Sequence, residues 1–221
     1  MAWPKVFAGA LVGAALLSEP AHAAEVKRPT RALIEPEVLA GFSADERDKL
    51  TGYQSVTQAS SFNRGGRDYL SAISYQVVDI KADELFDLLQ KVDHTLPHAL
   101  PATYKARYVG TSGDLPLVQL VHGNGFFSGT YTVLWQPQAN NREVNFWLST
   151  EQPHDVDDIY GFFRITPVDQ GKRSLVTVAV AVDLGSGTTK QMYGHTVQKI
   201  ILKSARYIRK FVDRRLGRPV E

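Results

Sequence analysis

The chain is 221 residues long, with 43% hydrophobic residues, 22% charged residues and a formal net charge of +2. That composition belongs to a folded domain rather than a disordered chain, and the length suits one domain better than two. No cysteine is present, which excludes disulfide scaffolds, thiolate metal centres, iron–sulfur clusters and thiol nucleophiles. The near-neutral balance offers no global attraction for nucleic acid.

Residues 1–23 read as a cleavable signal peptide. Lys5 supplies a positive start, Val6 to Leu17 form an apolar run too short to span a bilayer, and Ala21-His22-Ala23 has the small-x-small form of a cleavage site. The expected location is therefore the periplasm or the exterior.

Residues 24–67 read as an N-terminal extension. Pro29 and Pro36 punctuate its start, and Ser43-Ala44-Asp45-Glu46 has capping-box spacing that opens a short helix to about Leu50. Ser60 to Gly66 reads as a loop by composition. The main domain is expected over 68–221. Alternation through Ile73, Tyr75 and Val77 predicts a strand to about Ile80, and the spacing of Leu85, Phe86, Leu88 and Leu89 predicts a helix over 81–92. Pro97 and Pro101 predict a kinked or broken helical connection over 93–103. Six strands follow, near 104–109, 117–122, 126–136, 143–150, 159–168 and 174–184. Their short connections, Gly123-Asn124-Gly125 among them, imply antiparallel pairing. A long amphipathic helix over 188–216 closes the chain, with Met192, Val197, Ile200, Ile201, Ile208, Phe211 and Val212 as its apolar stripe.

This order of elements resembles the START-like helix-grip superfamily, which includes polyketide cyclases, allergen-type ligand carriers, coenzyme Q-binding proteins and lipid-transfer domains. The resemblance spans about residues 69–216. It is strongest where Tyr75 to Ile80 runs into Lys81-Ala82-Asp83-Glu84-Leu85-Phe86, and where Gly161-Phe162-Phe163-Arg164-Ile165 precedes Val176 to Val182. It implies an α+β fold in which a curved, seven-stranded antiparallel sheet wraps around the C-terminal helix and encloses an apolar cavity.

Side-chain parity can be read independently of the resemblance. Val176, Val178, Val180 and Val182 occupy alternate positions, so their face must be covered. An outward Arg164 turns Ile159, Gly161, Phe163 and Ile165 inward, and the same parity brings in Val144, Phe146, Leu148, Tyr131, Val133 and Trp135. Such a face can pack dry or can hold one small ligand. For a ligand cavity the expected lining is Phe146, Phe163, Val178, Val180, Tyr193 and Val197, with Tyr108, His122, Tyr131 and Trp135 as orienting polar groups.

Other chemistry reads weakly. His94 and His98 have metal-ligand spacing that Pro97 interrupts, so a three-histidine zinc site with His122 is a minor reading beside a hydrogen-bonded His122. His154-Asp155-Val156-Asp157-Asp158 lacks the glycine and terminal Glu of a calcium loop. Gly123-x-Gly125 and Gly185 to Lys190 miss phosphate-loop spacing, and no Gly-x-Ser-x-Gly elbow occurs. No cofactor, metal or nucleic acid is expected. Residues 199–218 hold eight basic residues (Lys199, Lys203, Arg206, Arg209, Lys210, Arg214, Arg215, Arg218) against Asp213. They read as a solvated face suited to the helix dipole, or as a docking surface for anionic headgroups or an acidic partner. The function expected is an exported carrier of a hydrophobic small molecule or lipid. The alternative is a cyclase- or dehydratase-like enzyme using His122 and Tyr131.

Overall fold

The computed structural model describes residues 31–123, 128–185 and 188–220. The signal-peptide reading, and the turn residues within 124–127 and 186–187, lie outside the described residues.

Two short helices lead in, α1 (Pro36–Leu39) and α2 (Ala44–Thr51). The capping box forms as expected: Ser43 Oγ accepts from Glu46 N, and Glu46 Oε2 accepts from Ser43 N. The first strand is one that composition had hidden. β1 (Val56–Arg64) covers most of the stretch expected as a loop, and pairs along its whole length with β2 (Arg67–Val78). Only Gly65 and Gly66 turn, both at positive φ (60° and 80°), as a tight two-residue hairpin requires. The misreading has a simple cause. β1 is an edge strand, exposed along its length apart from Val56, so polar Ser, Gln and Asn occupy positions that burial does not constrain.

Next come α3 (Ala82–Gln90) and α4 (Val92–Ala99). Pro97 lies inside α4, and the break falls earlier, at Lys91 between the two helices. The meander is β3 (Thr103–Ser112), β4 (Leu115–Gly123), β5 (Ser128–Gln138), β6 (Glu143–Leu148), β7 (Asp158–Val168) and β8 (Arg173–Asp183), followed by α5 (Thr188–Arg215). The sheet therefore has eight strands rather than seven, all antiparallel, in the order β1-β2-β8-β7-β6-β5-β4-β3. Among the described residues no helix is long and apolar enough to cross a membrane.

Both faces of the β2–β8 region are covered, by different parts of the chain. Ile201, Ala205, Ile208 and Val212 of α5 join the main core with the alternate valines of β8 and the inward residues of β5–β7. Met192, expected in that stripe, is 66% exposed and faces away from the core. Ser74 pins α5 to β2: its Oγ accepts from Ala205 N (3.3 Å) and donates to Ile201 O (3.4 Å). On the other face, Ala32, Leu50, Tyr53 and Val56 pack with Val77, Val168 and Leu175, and Phe42 sets its ring edge-on to Tyr75. The lead-in segment thus closes a second, smaller core against the sheet.

Candidate functional site

The site follows from strand register. Directly opposed residues point to the same side of an antiparallel sheet, so pairing lines them up in rows. One row runs Trp135–Phe146–Gly161–Val180–Ala72 across β5, β6, β7, β8 and β2, and the next runs Val144–Phe163–Val178–Ser74. Glycine at 161 is required by crowding. A Cβ there would meet the Ala179 carbonyl oxygen and would lie 2.7 Å from Phe146 Cζ. The absent side chain lets the Phe146 ring lie over the backbone of β7, where it forms a cluster with Trp135 (6.0 Å) and Phe163 (5.5 Å).

Between this face and α5 lies a cavity of about 140 Å³. The sheet contributes the aromatic cluster with Val178, Val180 and Val182, and α5 contributes Tyr193, Val197, Ile200, Ser204 and Tyr207. Leu96 and Leu100 close the side toward α4. Among the lining residues Asp155 alone carries a charged side chain. It is solvent-exposed, and its Oδ2 accepts a hydrogen bond from Thr130 N (2.8 Å).

Two polar aromatic groups of the sheet wall adjoin. His122 on β4 and Tyr131 on β5 are diagonal neighbours, since His122 opposes Gly129 and Tyr131 opposes Leu120. Their rings stack 5.4 Å apart at 10°. His122 Nδ1 lies 3.5 Å from Thr103 Oγ1, the outer limit of a hydrogen bond, and its buried Nε2 has no partner. Burial removes the water that would solvate an imidazolium, and brings the His122 pKa down to about 4. The same desolvation pushes the Tyr131 phenol up. At neutral pH both groups are therefore uncharged. Trp135 Nε1 is likewise buried without a partner.

Of the ten residues expected to line a cavity, His122, Tyr131, Trp135, Phe146, Phe163, Val178, Val180, Tyr193 and Val197 do so. Tyr108 does not. It lies opposite Val118 and so faces the expected side, but outside the cavity lining. Its ring is 46% exposed and its hydroxyl donates to the Gln90 carbonyl at the end of α3 (2.7 Å). Thr103, Ser204 and Tyr207 were missed. The helical step from Tyr193 and Val197 through Ile200 leads to Ser204 and Tyr207, and their polarity kept them out of an apolar stripe. Among the described residues no group of three His, Asp or Glu side chains is placed to hold a metal. His94 is exposed, and the acidic stretch is engaged with the chain: Asp158 Oδ2 accepts from the Tyr69 hydroxyl (2.5 Å), and the Asp157 carbonyl accepts from Arg67 (3.0 Å).

No family model matches the chain, and no curated protein matches it in sequence. Solved structures do match. The Zhui aromatase/cyclase from Streptomyces sp. R1128 superposes with a TM-score of 0.57 at 13% identity, over 67% of this chain and 96% of that one. A STAR-related lipid transfer protein from Xanthomonas axonopodis gives 0.51 at 11% identity, over 70% and 98%. A START superfamily protein from Mycobacterium smegmatis gives 0.51 at 15% identity, over 66% and 97%. These likenesses are of architecture: the chain has the START-like helix-grip fold.

Proposed function

We propose that the protein is an exported carrier that holds a hydrophobic small molecule between the sheet and α5, without transforming it. The observation that carries this reading is the apolar cavity, walled by aromatic and branched side chains with a few polar groups among them. Two structural neighbours are named an aromatase/cyclase and a lipid transfer protein, and the second name supports an apolar ligand here. The volume favours a compact molecule. At about 140 Å³ it resembles a cavity that takes up a single benzene-sized ring, and it is below the 300–1,000 Å³ of drug-sized sites.

Electrostatics favours carriage over catalysis. A general base works best with a pKa near the working pH. His122 at about 4 is a weak base, and Tyr131, pushed up, is a weak acid. Native mass spectrometry before and after solvent extraction tests the reading. A discrete small apolar compound is expected, and a bare-mass protein that takes up no neutral hydrophobic probe would overturn it.

Two outer parts of the reading rest on sequence and charge. Export rests on residues 1–23, and fractionation with N-terminal sequencing tests it; an intact cytosolic chain would refute it. Contact with anionic membrane rests on Lys199, Lys203, Arg206 and Lys210, which recur at helical spacing on α5 with the first three exposed. Two of the eight cations do not belong to that surface. Arg209 donates to the Tyr53 carbonyl and pairs with Asp213, and Arg218 Nη1 lies 3.0 Å from Asp79 Oδ2.

A further inference from the structure

The His122–Tyr131 pair narrows the ligand beyond size and apolarity. Buried polar groups are nearly always hydrogen-bonded, so one left without a partner marks a place for something absent. Two such groups, His122 Nε2 and Trp135 Nε1, belong to residues of the cavity wall. His122 Nε2 is shielded from solvent and unpartnered. Tyr131, on the next strand, stacks its ring on the imidazole and brings a hydroxyl donor to the same cavity. Both residues line the cavity, where the polar sheet side chain beside His122 is Thr103, at the outer limit of a hydrogen bond to Nδ1 and not to Nε2.

We infer that the cavity selects a neutral molecule whose hydroxyl or carbonyl oxygen sits between His122 Nε2 and the Tyr131 hydroxyl, with a compact apolar body in the remaining space. The inference rests on the carrier reading and adds the chemical class to it. Tyr131 donates its O–H to that oxygen. His122 accepts the proton of a hydroxyl or, in its other tautomer, donates to a carbonyl. Held uncharged by burial, the imidazole is not an anion receptor at neutral pH. No Lys or Arg lines the cavity, so a carboxylate or phosphate would enter without a countercharge, at a large desolvation cost. The apolar body is what α5 and the aromatic cluster are shaped to cover.

The test uses the purified full chain and four probes of one size: p-cresol, 4-methylcyclohexanone, toluene and p-toluate, with binding followed by ligand-observed NMR. His122→Phe and Tyr131→Phe are compared with the parent, and near-UV circular dichroism checks their folding. Tyr131→Phe keeps the ring and deletes only the hydroxyl, so it carries the test if His122→Phe does not fold. The expected result is that each substitution weakens p-cresol or 4-methylcyclohexanone about fivefold, the worth of one hydrogen bond, leaves toluene unchanged, and that p-toluate does not bind. If both substitutions leave every neutral probe unchanged, the oxygen site is refuted while the carrier reading stands. Tighter binding of p-toluate than of p-cresol refutes the neutral-ligand inference alone. Failure of all four to bind overturns both.

Discussion

Replacing His122 with phenylalanine is expected to flatten the acid side of the stability profile, and the size of the effect follows from burial. The imidazole titrates at about 4 in the folded protein against 6.5 for the ordinary group. The folded state therefore favours the neutral form. Between these two values the unfolded chain binds a proton that the folded chain refuses, so stability falls as pH falls. The contribution is fully present above pH 6.5 and fully lost below pH 4. Each unit of pKa displacement corresponds to about 1.4 kcal/mol, so the total is about 3 kcal/mol, with about 2 kcal/mol already lost at pH 5. Carboxylates titrate over the same range, but parent and variant share them, and the difference between the two curves isolates His122. Urea unfolding of both proteins at pH 7.5, 6, 5 and 4.5 measures it. The parent should lose about 2 kcal/mol more than His122→Phe between pH 7.5 and 5. Parallel curves would show that the ring is hydrated and that the burial argument fails. At neutral pH the variant should be at least as stable as the parent, because it removes a buried nitrogen that lacks a partner.

Other substitutions probe the remaining parts of the structure. Gly161→Ala drives a methyl group toward Phe146 and the Ala179 carbonyl, and should cost about 2 kcal/mol in urea unfolding, with loss of probe binding; an unchanged midpoint would mean that β6 and β7 are not in this register. Val180→Phe fills the cavity from β8, and should leave the thermal midpoint within a few degrees while abolishing toluene uptake; undiminished uptake would place the ligand elsewhere. Arg173→Met leaves the buried carboxylates of Asp79 and Asp169 without their bridging guanidinium, and should destabilise the fold by about 3 kcal/mol, with Arg218 partly compensating at Asp79; a change under about 1 kcal/mol would show that the network is solvated. Lys199→Glu, Lys203→Glu and Arg206→Glu together should lower sedimentation with phosphatidylglycerol vesicles at least a hundredfold, at about 1 kcal/mol per lost cation, and added salt should mimic this in the parent; equal binding to uncharged vesicles would refute a role for the charge.

Where burial imposes periodicity, the fold is legible from the chain. The alternating valines of β8 and the Arg164 parity that turns Ile159, Phe163 and Ile165 inward survive in the structure because each faces α5 or the main core. β1 escapes the same reading because neither of its faces is buried beyond Val56. Backbone pairing with β2 and cross-strand pairs such as the exposed Phe62 on Tyr69 hold it as a strand, and neither imposes a burial period on its sequence. The Lys91 break is a similar case. Proline draws attention to 97, yet the chain turns where Leu89 and Val92 must both reach the core.

The site was legible in its walls and illegible in its position along the strands. Parity assigns a residue to a face and says nothing of how far along that face a cavity extends. Tyr108 shows the consequence: it lies on the expected side of β3 and opposite Val118, but half-exposed outside the cavity lining, and its hydroxyl caps the end of α3. The register of the next pair brings His122 beside Tyr131, residues nine positions apart in the chain whose stacking depends on the β4–β5 offset. A one-residue slip would turn one ring to the opposite face. The chemistry of the site is therefore a property of register, and this is why the oxygen-binding inference is tested by deleting one atom from Tyr131 rather than by disturbing the wall.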